Sequence, residues 1–223
     1  MNTRRFIFWG GFIIILGLII WGLIVAMNKP TGADVGAPAP ITVTDHVQGP
    51  VDAPITIIEY SDFQCPACAY FQPFVTRFWN EASTSVRIVY RHFPLDNLLP
   101  DGSVQHPNAV PAAMASEAAA KQGKFWEMVD MLFEGQSDWE SLPNASSTFL
   151  AYATELGLDP VKFTADFEDK TNEDLIQSQK NEGIRIGISY TPTFFVNGKI
   201  INNPQTYEEF KTLVESTASA NPL

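Results

Sequence analysis

The sequence predicts an α/β domain with an inserted helical subdomain, preceded by one N-terminal transmembrane helix. Three observations carry that prediction. An uncharged apolar run lies near the N-terminus; a β-branched strand is followed by a helical period and a second strand; and a strand, tight turn, strand and helix close the chain after a long helical stretch. Strand, helix, strand in that order implies a parallel pair joined by a right-handed crossover.

Residues 1–5 read as a cytoplasmic tail and residues 6–27 as a transmembrane anchor. Phe6 to Met27 holds no charge and contains Ile13-Ile14-Ile15-Leu16 and Leu18-Ile19-Ile20. As a helix this run is roughly 33 Å long, enough for a hydrocarbon core of about 30 Å. Trp9 and Trp21 fall toward its ends, where amphipathic rings settle. Arg4 and Arg5 precede the run and only Lys29 follows closely, so the positive-inside bias keeps the N-terminus cytoplasmic and exports the rest. A cleaved signal peptide is the competing reading, because Ala37-Pro38-Ala39 has the small-x-small form of a cleavage site. Against it, the apolar run exceeds the usual length of about 7–15 residues, the site lies well beyond its end, and Pro40 would follow the cut.

Residues 28–44 read as a linker, with Pro30, Gly32, Gly36, Pro38 and Pro40 among small residues and a short β-like run, Ile41-Thr42-Val43-Thr44, at its end. The folded domain is expected over 45–218. Ile55 to Tyr60 is continuous, β-branched and bounded by breakers, as a buried central strand is. From Ala69 to Ala82 apolar residues recur at Tyr70, Phe71, Phe74, Val75 and Phe78, a helical period, and Val86 to Tyr90 is the second strand. Residues 107–187 form the helical insertion, with helices expected at Ala112–Lys121, Phe125–Phe133, Ser146–Leu156, Pro160–Phe167 and Asn172–Arg185. Thr193 to Val196 is a strand, Asn197-Gly198 a tight turn, Lys199 to Ile201 the return strand, and Tyr207 to Val214 a last helix.

The net charge is −11, and all 25 acids follow Lys29. An acidic domain repels phosphate backbones, which excludes nucleic acid as a partner class. Only two cysteines are present, too few for a disulfide-stapled scaffold, and both lie in Cys65-Pro66-Ala67-Cys68. Placing Cys65 at a helix start aims unpaired backbone N–H groups and the positive end of the helix dipole at its sulfur, which favours the reactive thiolate. Pro66 suits the first helical position, and Cys68 falls on the same helix face as Cys65.

Several motifs in order extend this reading: Glu59-Tyr60-Ser61-Asp62-Phe63-Gln64-Cys65-Pro66-Ala67-Cys68, Tyr90-Arg91-His92-Phe93-Pro94-Leu95, His106-Pro107, Gln122-Gly123-Lys124-Phe125-Trp126 and Thr191-Pro192-Thr193-Phe194-Phe195-Val196-Asn197-Gly198. From His46 to Val214 the chain resembles the DsbA-type, thioredoxin-like thiol-disulfide oxidoreductases of bacterial envelopes. The resemblance implies a thioredoxin fold and a bacterial cell membrane, with a single-pass anchor in the lipid bilayer and the catalytic domain on the extracytoplasmic side. It also implies a mechanism: Cys65 forms a mixed disulfide with an exported, cysteine-containing protein, Cys68 resolves it, and a membrane or envelope redox partner resets the pair. Thr191 and Pro192 match the loop whose proline is cis beside the active site in this fold, and Glu59 matches a buried acid beneath the second cysteine. No cofactor or metal is expected beyond the redox-active Cys65-Cys68 pair. Ala67 departs from the best-known oxidases, which have histidine there, so a weaker disulfide donor is expected.

Reductase and isomerase activities are the nearest alternatives. A rival of another class is a membrane-tethered copper or zinc carrier using the C-x-x-C with His46, His92 or His106. Against it, the histidines do not form a compact pair in sequence; His92 reads as a strand-end structural residue and His106-Pro107 as a turn. The aromatic residues Phe125, Trp126, Phe133 and Trp139 read as core between insert and sheet, a share of them bordering a groove for unfolded polypeptide. Asn144-Ala145-Ser146 fits a glycosylation pattern by chance.

Overall fold

The computed structural model describes residues 35–223; the expected 6–27 span and the first part of the 28–44 linker lie outside the described residues. Among the described residues no helix is long and apolar enough to cross a membrane. Five strands, β1 (His46–Gln48), β2 (Ile55–Ser61), β3 (Val86–His92), β4 (Thr193–Val196) and β5 (Lys199–Ile201), form one sheet in the order β1-β3-β2-β4-β5. β2 and β3 run parallel, with Ile55 opposite Val86 and Ser61 opposite His92. A hairpin cannot join parallel strands, so helix α1 (Pro66–Ala82) makes the crossover. β4 is antiparallel to β2 and returns into β5 through Asn197 and Gly198, whose φ values of 47° and 77° are those a type I′ turn requires.

The insertion supplies α2 (Ala109–Ala120), α3 (Phe125–Glu134), α4 (Gln136–Trp139), α5 (Ser146–Glu155), α6 (Pro160–Phe167) and α7 (Lys170–Arg185), and α8 (Tyr207–Ala220) closes the chain. α2 is apolar around its circumference and packs against α3, α6 and α7, its alanines allowing close approach on every side. α6 starts cleanly because the Asp159 carboxylate accepts from the backbone N–H groups of Val161 and Lys162, with Pro160 at the first helical position. The four-residue α4 had no sequence signal, since it is shorter than any periodic window.

Successive residues of a strand face opposite ways, so β2 feeds two cores. Ile57 packs with Phe71, Phe78, Ile88, Phe194 and Phe210 under α1 and α8, while Ile58 and Tyr60 pack with Val89, Phe93, Phe195 and Ile186 on the other face. α7 crosses that second face so closely that a Cβ on Gly183 would stand 2.7 Å from the Phe93 ring. A third core fills the insertion: Phe125, Met128, Leu132, Phe133, Trp139 and Phe149 are buried together and extend to Cys65 and Cys68. Each fully buried side chain of this size contributes roughly 1.5–3 kcal/mol.

Residues 41–44 are not a strand. Asp45 accepts from the backbone N–H of Thr42, and Asp45 N–H bonds back to the Thr42 carbonyl, so local side-chain bonding makes a turn and leaves Val43 exposed. The stretch before it is held to the domain by Arg91. That guanidinium donates to both Asp45 carboxylate oxygens at 2.8 and 3.1 Å, to the Ala39 carbonyl and to the Tyr60 hydroxyl, which in turn bonds Glu182 on α7.

Candidate active site

The site forms where β2 ends and α1 begins. Cys65 is the N-cap, with extended φ and ψ of −75° and 122°, and Pro66 opens the helix. The loop before it is fastened from several sides. Asp62 accepts through one oxygen from Gln64 N–H at 2.7 Å and through the other from Leu95 N–H at 2.9 Å and His106 Nδ1 at 2.6 Å. Gln136 Nε2, on α4, donates to the carbonyls of Phe63 and Cys65, and Gln64 accepts from the Asn108 N–H. Thus the insertion grips the backbone on which Cys65 sits.

Both cysteines are free thiols; Cys65 is 7% exposed and Cys68 fully buried. The Thr191 carbonyl accepts from Cys65 Sγ at 3.6 Å. The Thr191-Pro192 bond is cis, and both residues are buried against the cysteine turn. A hydrogen bond from the Cys68 thiol lowers the pKa of Cys65 to about 6. Burial opposes the change, while the nearby Thr191 hydroxyl, which completes no hydrogen bond of good geometry, and the backbone N–H groups of Cys68 and Ala67 add to it. Cys68 moves the other way, raised by burial first and then by the bond and charge of Cys65. One sulfur is therefore an anion at neutral pH and its neighbour a protonated donor.

Beneath Cys68 lies a buried polar group of residues. Glu59, on β2 opposite Tyr90 of β3, is 2% exposed, and burial raises its carboxyl to about 7 despite the nearby Ser61 hydroxyl. Glu59 Oε1, Ser61 Oγ and Tyr90 OH complete no hydrogen bond of good geometry. Glu59 and Tyr90 border a cavity of ≈ 270 Å³ whose rim carries Gln72 and Asp130. The Ser61 hydroxyl thus stands near both Glu59 and Cys68, and the Glu59 carboxyl lines a polar cavity.

Asp62, Ser61, Gln64, Gln136 and Tyr90 were not singled out for roles by the sequence reading. Ser61 had a usable signal, since residues two apart on a strand share a face and Glu59 was already a candidate. The histidines were expected not to pair, and here the structure corrects the reading. His46 Nε2 and His92 Nε2 each lie 2.7 Å from Glu117 Oε1, brought together by the pairing of β1 with β3 and the packing of α2. Burial works against the Glu117 charge, but the two histidine bonds prevail and hold its carboxyl at about 2. His106 stands apart from them on Asp62. The insert aromatics Phe125, Phe133 and Trp139 are core, and Asn144 makes a local turn ahead of α5 by accepting from Ser146 N–H.

A thioredoxin-type sheet, a helical insertion and a C-x-x-C at the start of the first helix together define a thioredoxin-like domain. The model of the Thioredoxin family matches residues 41–216, and the chain belongs to that family. Among solved structures it is similar in fold to oxidised BdbD from Bacillus subtilis, with a TM-score of 0.71, 23% identity, and coverage of 84% of this chain and 100% of that one. It is similar also to alpha-DsbA1 of Wolbachia pipientis, with a TM-score of 0.69, 22% identity, and coverage of 81% and 94%. Among curated proteins it is similar to the Na(+)/H(+) antiporter NhaA 3 of Salinispora tropica, 39% identical over 179 residues that make up 80% of this chain and 26% of the antiporter. The Na(+)/H(+) antiporter NhaA 1 of Salinispora arenicola is 36% identical over the same shares. The chain thus spans about a quarter of the length of these curated relatives.

Proposed function

We propose that this chain donates disulfides to exported, cysteine-containing proteins through Cys65 and Cys68, with no cofactor beyond that redox pair. The observation that carries the reading is the opposed shift of the two thiols, Cys65 down to about 6 and Cys68 up. In the oxidised enzyme a substrate thiolate attacks Cys65 Sγ; the intramolecular S–S bond breaks, a substrate–Cys65 disulfide forms, and Cys68 departs with the electron pair and takes a proton. Glu59, near neutrality in its pKa, supplies that proton and recovers it through the polar cavity. A second substrate thiolate then attacks the substrate sulfur, and Cys65 leaves as a thiolate. A low leaving-group pKa speeds that step and stabilises the reduced enzyme, which favours donation over reduction. Thr191 and Pro192 present backbone beside Cys65, where an extended substrate segment docks.

The reading places the anchor 6–27 in a bacterial cell membrane, with the domain on the extracytoplasmic side and a membrane or envelope partner accepting two electrons to restore the disulfide. The uncharged run behind Arg4 and Arg5, together with a chain carrying only two cysteines, supports that placement. A metal carrier built on the C-x-x-C is less well supported, because the converging histidines meet Glu117 instead of the sulfurs.

A redox titration of Cys65-Cys68 against glutathione tests the direction. Donation predicts a potential well above the roughly −270 mV of thioredoxin, and a value near that figure overturns it. With Cys68→Ala, substrate-bound mixed disulfides accumulate; with Cys65→Ala none form. Trapping through Cys68 instead would reverse the assignment.

A further inference from the structure

His46 on β1, His92 at the end of β3 and Glu117 in α2 come together from three elements. Their ligand atoms all lie within 4.8 Å of one another, and Glu117 Oε1 is 2.7 Å from each histidine Nε2. The frame around them is firm. The His46 ring stacks on Phe125 with centroids 3.5 Å apart and planes 13° from parallel. The His92 backbone N–H is held by Gln179 at 2.8 Å, and His92 and Glu117 are buried. The His46 side chain, 18% exposed, gives the group an edge toward solvent.

We propose that His46, His92 and Glu117 bind one divalent transition-metal cation of the zinc class. Two imidazole nitrogens and a carboxylate oxygen are the donor set such ions take, with water completing a four-coordinate shell. Calcium and magnesium favour all-oxygen shells, so two imidazoles select against them. At metal–ligand lengths of about 2.0–2.1 Å, tetrahedral ligand atoms stand roughly 3.3 Å apart, so the trio opens by about half an ångström to admit the ion. In the bound form each Nε2 lone pair faces the metal and the ring proton sits on Nδ1; without metal, Nε2–H donates to Glu117. The cation ties β1 and α2 to the end of β3. It replaces the expectation of no metal site and does not depend on the thiol reading.

The test uses the full-length chain with the Cys65-Cys68 disulfide formed, so that no thiolate competes. Cobalt(II) serves as the spectroscopic probe and zinc(II) as the competitor. One equivalent of cobalt should give visible ligand-field bands without thiolate charge transfer, and zinc should displace it. Histidine NMR provides a readout that needs no variant: at one equivalent of zinc the His46 and His92 imidazole signals shift and the His106 signals stay. H46Q, which keeps a donor toward Glu117 at a partly exposed position, should weaken binding by at least about tenfold, since losing even an outer-shell partner costs 10- to 100-fold. The proposal is overturned by a folded, oxidised chain that takes up no stoichiometric metal, by equal affinity in H46Q, or by shifts at His106 instead of His46 and His92.

Discussion

At Cys65 the surrounding polar groups point at the sulfur: the Cys68 thiol, the Thr191 hydroxyl and two backbone N–H groups all favour its anion. Around Cys68 burial prevails instead, raising that thiol and lifting the Glu59 carboxyl to about 7. The first region is a preorganised anion site at a helix start, where donors cost nothing to align. The second is a low-dielectric store for a proton. The difference teaches why a single helical turn can hold an attacking group and a resolving group with separate roles.

The largest expected effect comes from Glu59→Gln, which removes the titrating group of the buried region alone. The first attack at Cys65, in which Cys68 leaves and takes a proton, should slow on the order of 100-fold, while the release of Cys65 by the second substrate thiolate is nearly unchanged. The same substitution should stabilise the protein at pH 8 by about 3 kcal/mol, because a carboxyl whose folded pKa is raised to about 7 costs stability progressively from its unfolded value of about 4.3, the loss being complete above about 7. Stopped-flow rates of the two exchange steps and urea unfolding check the two halves, and equal slowing of both chemical steps would dissolve the distinction between the regions.

Thr191→Val acts on the outer region with little change of shape. It should raise the Cys65 pKa by about one unit and leave Cys68 where it is, a change read by the pH dependence of alkylation. No movement of the Cys65 value would mean that the helix start alone sets it.

The smallest effect is a pH-dependent gap in Tm between reduced and oxidised protein. A thiol depressed to about 6 contributes stability that is fully present above its unfolded value of about 8.5 and is lost as pH falls through about 6. Reduced protein should therefore gain on oxidised protein between about pH 6 and 8.5. Above that window Cys68, which burial keeps protonated, opposes further gain. Glu59 titrates in both forms and drops out of the gap.

The outer region was legible because its signals are local. A C-x-x-C with proline at the first helical position, a β-branched strand before it and a helical period after it each lie within about ten residues. The strands and turn at 193–201 were equally plain, since Asn197-Gly198 can adopt the φ values a tight hairpin needs. The inner region was half legible: Glu59 could be placed, but Tyr90 joins it only through the register of β2 on β3. His46 and His92 were weighed as metal ligands only beside the C-x-x-C, and their meeting at Glu117 was hidden, because strand pairing and a packed insertion, not spacing, bring them together. At 41–44, β propensity misled because Asp45 offers the backbone a better local partner.

The opposition of the two sulfurs is tested most directly by the ultraviolet absorbance of the thiolate in the reduced protein, followed as a function of pH. One thiolate per chain should form with a midpoint near 6 and vanish in Cys65→Ser, with no second thiolate until well above the ordinary value of about 8.5. A single midpoint near 8.5, or a low midpoint that survives Cys65→Ser, would contradict it.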